Sequence, residues 1–228
     1  MNETRDHGPL PVLLLSLTVM TGLVDAFSYL VLGHVFVANM TGNVLFAGFA
    51  LTGTGGIGGI SWPATLLAVA AFAIGAAFGG RWGLTRKPHR GRLLAEAVIA
   101  QVVLMTAAAF VATVAAVGDT PVRLALIALL AVAMGIQNAI VRRLAVPDLT
   151  TTVLTLTVTG LFADTMAPEV RLRRIAGVVA MFAGAAGGGA LLRWATVSAP
   201  LWAAAALLMA LASSSLVLAR RTSATTWR

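Results

Sequence analysis

The 228-residue sequence contains no cysteine, which excludes a disulfide framework, a thiolate metal site and a cysteine nucleophile. Histidine is almost as scarce. His7 and His89 lie in charged flanks and His34 ends a helical run, so no two have the spacing of metal ligands or of a base and its partner. Charge is short as well: 11% of residues are charged where about 25% is usual, and 59% are apolar against roughly 45–50% in soluble domains. A chain so composed cannot cover itself with polar surface, which points away from a soluble enzyme and towards an all-α integral membrane protein. No nucleophile, base and orienter combination and no metal cluster is present, so neither an enzymatic activity nor a cofactor is expected.

The charge that is there is clustered. From Pro9 to Gly80 the only formal charge is Asp25, whereas Arg81, Arg86, Lys87, Arg90 and Arg92 fall within a dozen positions. The net charge of +8 does not suggest nucleic acid, because the basic residues flank apolar segments and form no aromatic-interleaved patch. Cytoplasmic loops of membrane proteins collect Lys and Arg, which accounts for them better. The apolar run from Leu10 outlasts a signal core and has no A-x-A site, and Arg5 is offset by Glu3 and Asp6. It is therefore expected to be the first membrane helix rather than a cleaved leader.

A membrane helix needs about 20 mainly apolar residues to cross roughly 30 Å of hydrocarbon. Six stretches meet that length, at approximately 10–33, 62–80, 93–117, 122–141, 172–192 and 200–219. Two others, 40–52 and 149–162, are too short, with about 20 Å of helix each, and begin in polar or proline-containing sequence. These short segments belong to an internal repeat within a single membrane domain spanning 1–228, with halves at about 10–117 and 122–219. Gly22-Leu23-Val24-Asp25-Ala26 corresponds to Gly135-Ile136-Gln137-Asn138-Ala139. The stretch from Val37 to Leu45, with Asn39, Thr41 and Asn43, corresponds to Val146 to Leu154, with Asp148, Thr150, Thr151 and Thr152. Phe72-Ala73 and Arg81-Trp82 likewise echo Phe182-Ala183 and Arg193-Trp194.

Charge discriminates between two topologies. If the short segments are re-entrant half-helices, Arg81 to Arg92, Arg142 with Arg143, Arg171 to Arg174 and both termini all face the cytoplasm, leaving only Arg123 and Arg193 near the outer face. Three spans per half then make the repeats inverted, a recurring design of secondary transporters. The competing arrangement is eight full spans with parallel repeats.

Asp25 lies within the first apolar helix, where an ionised carboxylate costs about 2.5–3.5 kcal/mol on insertion scales. Its expected role is a coupling carboxylate facing the bundle interior. The plainer alternative is a hydrogen-bonded residue that fixes helix packing, against its repeat mate Asn138. Asn39, Thr41 and Asn43, with Asp148, Thr150, Thr151 and Thr152, are of types that cap helix N-termini. Within the membrane, such N-termini would attract anions or polar solutes, and on surface loops they would be ordinary caps. The run from Gly53 to Gly58 matches G-x-G-x-x-G but follows no strand, and reads as a loop. Gly75 with Gly79, and Gly184 with Gly188, have the small-xxx-small spacing of close helix contacts. Glu96, four residues after Arg92, is expected in a boundary ion pair.

Asp25-Ala26-Phe27-Ser28-Tyr29-Leu30, Ala38-Asn39-Met40-Thr41-Gly42-Asn43, Gln137-Asn138-Ala139 and Leu149-Thr150-Thr151-Thr152 together resemble the YoaK family of bacterial membrane proteins, over nearly the whole chain. That resemblance implies a multi-pass protein of the bacterial inner membrane. The family has no assigned function, so it supplies no substrate and no site residues. The functional expectation from the residues is a secondary transporter of a small polar or anionic solute, with Asp25 as coupling group. A channel or facilitator, and a non-transporting assembly or sensor subunit, are the alternatives. The expected partners are the bilayer and that solute.

Overall fold

A computed structural model describes residues 8–53, 61–85, 90–146 and 154–221. Among them are eight α-helices: α1 (Leu10–Val31), α2 (Met40–Leu51), α3 (Trp62–Thr85), α4 (Arg90–Val114), α5 (Thr120–Leu144), α6 (Leu154–Ala163), α7 (Pro168–Trp194) and α8 (Ala199–Arg221). Six are long and apolar enough to cross a membrane, at the places the hydropathy predicts. The short pair, α2 and α6, have 12 and 10 residues, or roughly 18 and 15 Å of rise.

Proline sets several starts. It occupies the first turn of α1, α5 and α7, where its missing N–H is one that a helix leaves unpaired anyway. At the end of α1, Gly33 and His34 both take positive φ, 88° and 59°, and so reverse the chain.

In lipid the tails are as apolar as the side chains, so helices associate through close packing rather than water exclusion. Two pairs achieve it with glycine. Gly22 of α1 faces the backbone of Met181 and Ala185 on α7, while Gly184 faces Val19 and Gly188 faces Leu23 and Ala26. In the other pair, Gly135 of α5 faces the backbone of Phe72 and Ala76 on α3, while Gly75 faces Val132 and Gly79 faces Ile136 and Ala139. In both pairs the facing residue numbers rise together, so α1 runs parallel to α7 and α3 parallel to α5. The small-xxx-small spacings thus sit at close helix contacts.

Other contacts give the remaining directions. A Cβ on Gly33, just past α1, would lie 3.6 Å from Arg123 near the start of α5, so α1 and α5 run oppositely. Trp202, near the start of α8, donates to Thr113 Oγ1 at the end of α4, at 3.0 Å, so α4 and α8 run oppositely too. Helix α4 also packs on α5, and α8 on α1, closing a ring of α1, α5, α4 and α8 around the core. Short α2 lies against α3, and α6 against α7.

Arg143 donates to Gly80 O at 3.1 Å and Arg90 to Leu144 O, so the end of α3, the start of α4 and the end of α5 meet. With the directions above, that end of the bundle also receives the start of α7, with Arg171, Arg173 and Arg174, and the end of α8. Arg123 and Arg193 lie at the opposite end.

Candidate functional site

The candidate site is built around the turn between α1 and α2. After the reversal at Gly33 and His34, the chain comes back alongside α1, where the Val37 and Ala38 N–H groups donate to Asp25 Oδ1 at 3.1 and 3.0 Å. Asp25 is six residues short of the end of α1, about 9 Å of rise. Helix α2 therefore begins at a level well inside α1 rather than at its tip.

Asn43 completes the lacing. Its Oδ1 accepts the Phe36 N–H at 3.0 Å and its Nδ2 donates to Phe36 O at 2.6 Å, and it is fully buried. Asn39 caps α2, its Oδ1 accepting the Gly42 N–H at 3.4 Å. An aromatic file backs the turn: Tyr29 stacks on Phe36 at 4.9 Å and meets His34 edge-on at 5.0 Å, and Phe36 stacks on Phe46 at 6.0 Å. Four backbone donors ahead of or within the first turn of α2 are thus taken by side chains, and one of those is a carboxylate. The carboxylate lies at the approach to α2, on N–H groups two and three residues before Met40. Both bonds to Asp25 end on Oδ1, and no hydrogen bond reaches Oδ2 from the described residues.

The structure brings Asp25, Asn39 and Asn43 together around residues 36–42. Thr41 is exposed on the first turn of α2. One bond of Asn138 runs along its own helix, its Nδ2 donating to Met134 O at 2.9 Å, while the hydrogen bonds to Asp25 come from the turn ahead of α2. Asp148, Thr150, Thr151 and Thr152 lie outside the described residues. Glu96 Oε2 accepts the Trp82 indole N–H at 3.0 Å. Gln137, for which the sequence suggests no role, crosses the bundle, its Nε2 donating to Thr21 Oγ1 at 3.0 Å. A buried glutamine inside an apolar helix was the available signal.

The lacing gives a direct test. Asn43→Ala leaves both the N–H and the C=O of Phe36 unpaired in a buried place, at about 1–3 kcal/mol each, so the thermal midpoint in detergent should drop by several degrees. Thr41→Ala, on the exposed face, should leave the midpoint within about a degree of wild type. Equal midpoints for the two variants would remove Asn43 from this role.

The family described as "Protein of unknown function (DUF1275)" matches residues 13–214. The UPF0700 transmembrane protein YoaK of Bacillus subtilis (strain 168) is 34% identical over 162 residues, covering 66% of this chain. The match covers 65% of that relative's own length, slightly less than two thirds. No solved structure matches. With six apolar helices of spanning length and a similar transmembrane protein in Bacillus subtilis, the protein is a multi-pass membrane protein, and by the extent of the family match the chain belongs to the DUF1275 family.

Proposed function

We propose that this protein is a secondary transporter of a small polar solute, with two inverted repeats, α2 and α6 as re-entrant half-helices, and Asp25 as the coupling group. The observation that carries the reading is the Asp25 carboxylate, placed inside a spanning helix and gripping the turn from which a short helix starts. An intramembrane carboxylate marks a pathway by default, and discontinuous helices at a repeat interface form the solute and ion sites of such transporters. Inversion is supported by the opposed directions of α1 and α5, and of α4 and α8, since each is a pair of repeat mates. Parallel repeats would run those mates the same way. Because the donors ahead of α2 are held by Asp25, Asn39 and Asn43, a neutral polar solute suits this end better than an anion. Asp148, Thr150, Thr151 and Thr152 would supply the matching half. The gathering of arginines at one end of the bundle supports a cytoplasmic orientation for that end and for both termini in a bacterial inner membrane.

Two measurements test this reading. Proteoliposomes should accumulate a member of a panel of small polar solutes under an imposed proton or sodium gradient. Solute movement that only equilibrates would favour a facilitator, and no movement of any solute would end the transport reading. For topology, single cysteines can be placed without background in this cysteine-free chain. Thr52→Cys and Gly118→Cys should react with an impermeant thiol reagent added outside intact cells, and Thr165→Cys should react only after permeabilisation. Labelling of Thr165→Cys from outside intact cells, or protection of Thr52→Cys and Gly118→Cys, would instead indicate eight full spans.

A further inference from the structure

The ring of α1, α5, α4 and α8 is lined by buried residues at alternating spacings of three and four, and each helix breaks its apolar stripe with a polar side chain. On α4 the stripe is Leu94, Val98, Gln101, Met105 and Ala108; on α8 it is Leu201, Ala205, Leu208, Ala212 and Ser215. Gln137 interrupts the stripe of α5 and Thr21 that of α1. All four are at most 1% exposed.

Counting helical rise places them near one level. Gln137 donates to Thr21. From the Trp202–Thr113 contact, Gln101 is about 18 Å back along α4 and Ser215 about 19.5 Å along α8, so these two buried residues lie at about the same height. The contact of Arg90 with Leu144 puts Gln101 within roughly a turn of Gln137 by the same count. Gln101 Oε1 and Ser215 Oγ have no hydrogen-bond partner among the described residues. An amide oxygen and a hydroxyl buried without partners in an apolar core are costly, and a cation between them would take up lone pairs of both.

We propose that Thr21, Gln101, Gln137 and Ser215 form a sodium site at the centre of the ring. Oxygen atoms of hydroxyls and amides suit a hard cation, and none of the four titrates, which excludes a proton as the ligand. With Asp25 as the one nearby countercharge, a divalent ion would leave a charge uncompensated in a low-dielectric core. For a monovalent ion one countercharge suffices, and Asp25 stands one turn along α1 from Thr21. The closure of the ring around all four side chains favours sodium over the larger potassium. The inference holds whether or not a solute is transported.

Thermal unfolding of the full-length protein in detergent tests it, with sodium replaced by choline at constant ionic strength. Sodium should raise the wild-type midpoint saturably by roughly 3–8 °C, and potassium should raise it less. Gln101→Leu and Ser215→Ala should each flatten the sodium response while leaving the midpoint in choline at or above that of wild type, because each removes an acceptor that lacks a donor. Ser215→Ala deletes a single oxygen and decides the matter if Gln101→Leu does not fold. A flat wild-type response, an equal response to potassium, or a wild-type sodium shift in Ser215→Ala overturns the proposal.

Discussion

Asp25→Asn should abolish gradient-driven solute accumulation, lowering the steady-state concentration ratio across a proteoliposome membrane to about one, while the protein still inserts and folds. The amide oxygen of asparagine can accept the Val37 and Ala38 N–H groups as the carboxylate does, so the turn ahead of α2 keeps its anchor. What asparagine cannot do is carry a negative charge or exchange a proton at that oxygen. Asp25→Ala separates the two roles. It leaves two backbone donors without their acceptor, at about 1–3 kcal/mol each, and should lower the thermal midpoint as well as the transport. Undiminished accumulation by Asp25→Asn would show that Asp25 only positions the turn.

The largest structural effect is expected at a single added methyl group. Gly135→Ala should destabilise the protein by about 3 kcal/mol, the upper part of the usual range for overpacking. Its Cβ would collide with backbone atoms of Phe72 and Ala76, and backbone cannot rotate aside as a flexible side chain can. Separating α3 from α5 to make room would also undo the contacts of Gly75 and Gly79 with the same helix. Gly22→Ala should behave alike, because it meets Met181 and Ala185 in the same way. Gly189→Ala is the control, with open space where its Cβ would go, and the better helix propensity of alanine should leave it neutral or slightly stabilised. Thermal midpoints in detergent measure all three, and matching midpoints for Gly135→Ala and Gly189→Ala would contradict the packing described.

The six long helices were legible in the sequence because their signal is composition over a length set by bilayer thickness, and that signal is local. The close glycine contacts were legible as spacing, but their partners were not: nothing in Gly184-x-x-x-Gly188 names Val19 or Leu23 as the surface opposite. Asp25 was legible as an intramembrane charge. Its hydrogen-bond partners were not, because they are backbone groups a dozen residues ahead, and only the reversal at Gly33 and His34 brings them back. His34 carries a positive φ, a conformation that histidine adopts more often than most residues but still seldom. Asn43 looked like one polar residue of a possible binding set, whereas both ends of its amide are engaged by Phe36. Gln101 and Ser215 gave no motif, since a lone polar residue in a stripe acquires meaning only when another helix brings a second one opposite.

The exchange of partners between halves bears on how the chain is made. Of the eight helices described, α1 is made well before its glycine-matched neighbour α7, and α5 after its own, α3. During most of synthesis α1 must therefore reside in the bilayer with its glycine groove unfilled, its carboxylate sheltered only by the turn that follows it. The α1–α2 hairpin can form at once, since its bonds close over 12 and 13 residues, but the ring it belongs to cannot close before α8 arrives. Neither the first four helices nor the last four contain both members of a glycine-matched pair, and a ribosome stalled after α4 would hold a piece in which α1 still lacks its main contact.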